Sequence, residues 1–178
     1  MVTPAMERRM RKTLLRRAEP ALAQLAAAST DEDAFHAIPR AASAAYDLGR
    51  FAEAERLATR SISLAAQFSA SWNCGNALHV GHTVLGLLAL QRGDRRAAIE
   101  ALHASGNVSG SPQLGSFGPT MRLARRLLEQ GESASVLLYF EQCRAFWKRG
   151  GLTLSIWEQK VRRGAVPEYV IDVRLPAP

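Results

Sequence analysis

Cys74, His79 and His82 lie close together in the chain, and their side chains are the ones best suited to chemistry. Two histidines three apart share one face of a helix, and with a thiolate they could ligate zinc. The spacing matches none of the strong zinc patterns, and a fourth ligand would have to come from a distance, from Cys143 or His103. Neither a metal nor a cofactor is therefore expected. The same group could pair a thiolate with an imidazole, and a histidine is the one candidate general base. Other catalytic patterns are missing. Gly115-Ser116-Phe117-Gly118 has the wrong spacing for a nucleophile elbow, no glycine-rich phosphate loop leads into Lys-Ser/Thr, and there is no His-Glu-x-x-His. No catalytic residue is assigned, and a binding protein is expected before an enzyme.

Neutral hydrogen-bonding residues surround these groups. Residues 68–75 read as a loop containing Trp72, Asn73 and Cys74, with Asn76 able to cap the helix that follows. Residues 105–118 read as a long loop with four glycines, four serines and a proline, among them Asn107, Ser111, Gln113 and Ser116. Loops of that length inside a compact domain are usually functional or mobile. These glycines and serines would also serve if they only made two awkward turns.

The elements that must position these residues are helices. Alanine and leucine dominate and long β-branched runs are missing, which favours helix over strand. A flanking helical region over 5–28, restarted at Pro20, precedes three helical hairpins over about 35–66, 77–104 and 119–148. Pro39 is expected to break or kink its helix. Pro119 fits the first turn of a helix, and a last helix covers about 153–163 before an extended tail. The whole of 1–178 reads as one all-α domain.

Gly49, Gly93 and Gly131 each sit at the turn of a hairpin. Small residues precede them by seven positions, at Ala42, Gly86 and Ala124, and Ala54 and Ala98 follow two of them. With Phe51 two residues beyond Gly49, this resembles the tetratricopeptide repeat: a small residue in the first helix, a turn glycine, an aromatic, then an alanine. The first hairpin matches best, the second has Arg95 in the aromatic position, and the third keeps only Ala124 and Gly131. The glycines are 44 and 38 residues apart, longer than that family's period. The resemblance implies a right-handed α-superhelix of stacked hairpins. Connections between successive hairpins in such a stack emerge on one edge, so loops 68–75 and 105–118 should be neighbours. A ligand site of Trp72, Asn73, Asn76, His79, His82, Asn107, Ser111, Gln113 and Ser116 would lie there.

The formal charge of +7 sits at the two ends: residues 1–20 carry six Lys/Arg against two acids, and 144–178 carry seven against three. Such ends can meet phosphates or acidic partners, or can serve solubility alone. Tyr139, Phe140, Phe146, Trp147 and Trp157 lie among Arg144, Lys148, Arg149, Lys160, Arg162 and Arg163. Rings at helical spacing usually fill a core. Rings interleaved with cations also suit single-stranded nucleic acid. Residues 1–19 lack the apolar core of a secretory signal, two cysteines make no disulfide framework, and no apolar run approaches a membrane span. Cytoplasmic residence without a membrane is expected.

A scaffold that recognises a peptide or protein segment is the first functional reading, since stacked hairpins build an extended concave surface. Nucleic-acid binding through the basic termini is the second. A small enzyme or small-ligand binder using the loop-edge residues is the third. The oligomeric state is not legible.

Overall fold

The computed structural model describes residues 4–168, with 4–11 described by backbone alone. Among the described residues there are nine α-helices and no strand: α1 (Pro4–Ala26), α2 (Asp31–Asp47), α3 (Phe51–Gln67), α4 (Cys74–Gln91), α5 (Arg95–Gly106), α6 (Pro112–Phe117), α7 (Arg122–Leu128), α8 (Ser133–Cys143) and α9 (Gly151–Arg162). A 3₁₀ turn over Lys148–Gly150 leads into α9. Among the described residues no helix is long and apolar enough to cross a membrane. Residues 169–178 of the expected tail lie outside the described residues.

Successive helices pack against each other as stacked hairpins: α2 on α3, α4 on α5, α7 on α8. The first helices also meet, α2 with α4 and α4 with α7, and the second helix α5 meets α8. The three hairpins turn in the same way. Gly49, Gly93 and Gly131 have φ of 74°, 80° and 87°, in the left-handed region that favours glycine. The following amide reaches back to close the helix at each: Arg50 N–H to Ala45 O, Asp94 N–H to Ala89 O and Glu132 N–H to Leu127 O, all at 2.9 Å. Five residues beyond each glycine, Ala54, Ala98 and Val136 are fully buried. Seven residues before, Ala42 and Ala124 are fully buried, and a Cβ at Gly86 would lie 2.3 Å from Leu123. Small side chains here set the close approach of neighbouring helices.

Two prolines do less than their type suggests. Pro20 lies inside α1, which runs through it instead of restarting. Pro39 lies inside α2, which is also continuous. A proline has no N–H to offer the carbonyl four residues back, here that of Phe35. The Asn73 amide donates to that carbonyl at 3.2 Å, replacing the missing bond from another hairpin. Thr30 and Asp33 form a reciprocal capping box that starts α2. The hydrogen bonds from Thr30 and Ser29 hold the Asp33 carboxyl below its ordinary pKa.

The helix boundaries differ from expectation elsewhere, for local reasons. Helix α4 begins at Cys74, and Asn76 donates to the Asn73 side chain at 3.1 Å instead of capping. Helix α6 forms inside the expected long loop: Ser111 caps it by accepting from Leu114 N–H at 3.1 Å, and Pro112 takes its first turn. Pro119 precedes α7 without belonging to it, because the next peptide, at Thr120, is bonded to other elements.

Candidate functional site

The two connections that were expected to be neighbours do meet. Gly75 and Gly110 pack backbone to backbone, so that a Cβ on Gly75 would fall 1.8 Å from the Gly110 carbonyl oxygen. What forms there is a closed seam. His79 is fully buried, with Nδ1 at 2.9 Å from the Ser105 carbonyl and Nε2 at 3.0 Å from the Thr120 N–H. A carbonyl only accepts and an amide N–H only donates, so His79 is neutral with its proton on Nδ1. Burial, opposed by the Ser105 bond and reinforced by nearby His82, pushes its pKa down to about 4. The Thr120 carbonyl in turn accepts from the Tyr139 hydroxyl at 3.0 Å, so one residue is held from α4 and α8 together.

The other residues expected at this edge are dispersed. Asn73 is buried and committed to Phe35 and Asn76. Trp72 is exposed and stacks on His36, ring centroids 5.0 Å apart. His82 is half-buried, and its desolvation lowers its pKa. Asn107 and Ser116 are exposed, Ser111 caps α6, and Gln113 turns a buried, unpaired Oε1 inward. Cys74 directs its thiol at the Ala65 carbonyl, 3.6 Å away. Burial pushes the Cys143 thiol up to about 12. Among the described residues no three His, Cys, Asp or Glu side chains are grouped to hold a metal ion.

The aromatic residues of the C-terminal third turn mostly inward. Tyr139 and Phe140 are fully buried, and Phe146 packs on Gly110 with its ring 6.5 Å from that of His79. Trp147 packs on the backbones of Gly118 and Gly150 and lies 5.9 Å from Trp157. Of the cations interleaved with them, Arg144 is engaged by Glu158 at 2.8 Å and Glu141 at 3.3 Å. Lys148, Arg149, Lys160, Arg162 and Arg163 are exposed.

A different site is present: a groove of about 770 Å³. The first helices of the hairpins line it, Pro39, Arg40, Ser43, Ala44 and Asp47 from α2, Asn76 and Val80 from α4, Arg122 and Arg125 from α7. Helix α1 adds Leu14, Arg17, Ala18 and Ala21 along one side, and Phe117, Trp147, Thr153 and Trp157 close the other. The second helices α3, α5 and α8 contribute none of the lining. Of the residues expected to bind a ligand, Asn76 alone lies in it.

Four arginines face one carboxylate in the groove, Asp47, which forms an ion pair with Arg122. Arg122 also lies over the Tyr46 ring, 5.5 Å from its centroid. Arg125 is paired with Glu129 at 3.1 Å. Arg17 and Arg40 are exposed and form no ion pair among the described residues. A signal for this site was present in the sequence. Leu14, Arg17, Ala18 and Ala21, and likewise Arg40, Ser43, Ala44 and Asp47, repeat at i, i+3, i+4 and i+7, the spacing of one helix face. Both faces mix small residues with charges, a composition that marks neither core nor fully solvated surface. No protein-family model, curated protein or solved structure matches the chain, so seam and groove rest on their geometry alone.

Proposed function

We propose that the protein is a divergent hairpin-repeat binding module of the tetratricopeptide kind, which seats a carboxylate-bearing segment of a partner protein in the groove. The observation that carries this reading is the lining itself: successive first helices supply it, with two arginines that form no ion pair among the described residues and a single, already neutralised carboxylate. Small residues on α1 and α2 allow a backbone to approach, and apolar side chains from Leu14 to Trp157 offer contact area. The one lining carboxylate is held by Arg122 and the buried His79 lies outside the lining, which favours binding over acid-base chemistry. Nucleic acid is the weaker fit. Stacking along a strand needs several open ring faces; of the groove's rings Phe117 is open, whereas Trp147 spends its ring on Gly118, Gly150 and Trp157.

The test is fluorescence anisotropy with short labelled peptides that share an apolar pattern and carry Glu/Asp, Gln/Asn or Lys/Arg between. The acidic peptide should bind about tenfold tighter than its amide counterpart, a difference of about 1.4 kcal/mol. Added salt and the Arg17→Gln/Arg40→Gln pair should remove that preference. If no peptide binds, the reading fails. If single-stranded RNA binds more tightly through the same arginines, nucleic acid takes its place.

A further inference from the structure

The turn that ends each first helix occurs a fourth time. Gly164 closes α9 with φ of 76°, its N–H reaching Val161 O at 2.9 Å and the Ala165 N–H reaching Lys160 O at 3.0 Å. After Gly49, Gly93 and Gly131 a second helix begins two residues later, at Phe51, Arg95 and Ser133. After Gly164 the described residues, 165–168, are not helical. Helix α9 thus stands as a first helix that meets the preceding second helix, α8, but has no second helix of its own among the described residues.

The faces of α9 agree with that position. Leu154, Trp157 and Val161 turn inward, with Leu154 and Val161 buried. On the opposite face Leu152 and Ile156 are 76% and 47% exposed, one helical turn apart. A lone exposed leucine is ordinary, but a helix apolar on both sides is built to be covered on both. The second helix α8 packs on its own first helix, α7, and on the preceding second helix, α5. A helix placed one step further along would rest on α9 and α8.

We propose that this end face docks an amphipathic α-helix from another protein, apolar towards Leu152 and Ile156 and acidic along its flank, which completes a fourth hairpin in trans. Charge selects this occupant. Lys160 and Arg163 follow Leu152 and Ile156 along the same side of α9, are exposed, and form no ion pair among the described residues. A second copy is disfavoured, because both ends of this chain are basic and like charges repel. The end face shares no residue with the groove, so each can fail separately.

The experiment uses the full chain and three labelled, helix-stapled peptides: a Leu/Ile stripe flanked by Glu, the same stripe flanked by Lys, and a scrambled Glu-rich control. The Glu-flanked helix should bind at least about tenfold tighter than either other peptide. Leu152→Glu/Ile156→Glu should abolish this, with circular dichroism and Tm confirming the fold. Lys160→Glu/Arg163→Glu should transfer the preference to the Lys-flanked helix. Equal binding of all three, binding that survives Leu152→Glu/Ile156→Glu, or no binding overturns the proposal. Sedimentation of the protein alone is the last arm: self-association removed by Ile156→Glu makes a second copy the occupant and overturns it too.

Discussion

Asn73 and His79 show how residues that look fit for ligand chemistry are consumed by the fold. Asn73 supplies the bond that Pro39 denies to the Phe35 carbonyl. Asn73→Ala should destabilise the protein by about 1–3 kcal/mol, the cost of an unmet buried carbonyl. Pro39→Ala restores an N–H to α2, so the cost of Asn73→Ala should shrink in that background. A double-mutant cycle by urea denaturation measures the coupling, and additivity would refute the pairing. His79 has a sharper signature. Its pKa falls from 6.5 to about 4 on folding, so the unfolded chain binds the proton more readily. The stability that the neutral ring contributes is complete above pH 6.5 and is lost progressively as pH falls toward 4, about 3 kcal/mol in total. Half-buried His82 adds to the slope with the same sign. Urea midpoints between pH 7 and 5, above the carboxylate range, should fall with pH, and His79→Gln should flatten the slope. The sequence shows both residues in a polar stretch, but it cannot show that Ser105, Thr120 and Phe35 take up their hydrogen bonds. Those partners are 26, 41 and 38 residues away.

Among the elements, what local chemistry dictates is legible and what tertiary bonds dictate is not. Gly49, Gly93 and Gly131 mark the three hairpins because left-handed backbone at a helix end is a local demand. Nothing lies within 4 Å of a Cβ at any of the three. Substitution by alanine should therefore cost about the same at each, about 1–2 kcal/mol of backbone strain. Gly75→Ala should cost more, about 3 kcal/mol, since its Cβ meets the Gly110 backbone and no rotamer relieves that. Thermal denaturation of the four variants gives the comparison, and a cheap Gly75→Ala would mean that the seam is loose. The helix through Pro39 and the late start of α7 could not be read locally, because Asn73 and His79 come from another hairpin. Helix α6 could have been read: Ser111-Pro112 is a cap followed by a first-turn proline.

At the scale of the whole molecule, the loops that would carry a site in an open stack are closed here, and the open surface lies on the first helices. The sequence shows two faces of the groove, on α1 and α2, but not that they belong to one site, because the lining is spread from Leu14 to Trp157 and only the stacking order joins it. The same stacking has a consequence for how the molecule comes apart. In a simple array each hairpin touches only its neighbours, and end hairpins can melt while the rest stands. Here Thr120 is gripped by His79 of the second hairpin and Tyr139 of the third, and Asn73 ties the start of α4 into the first. Asp47 and Arg122 join the first hairpin directly to the third. Fraying one end would orphan buried polar groups in the next hairpin, so heat should take the three together in one all-or-none transition. The slowest-exchanging amides of α2, α4 and α8 should then report a single common opening free energy, whereas a graded series along the chain would mean that the hairpins melt one by one.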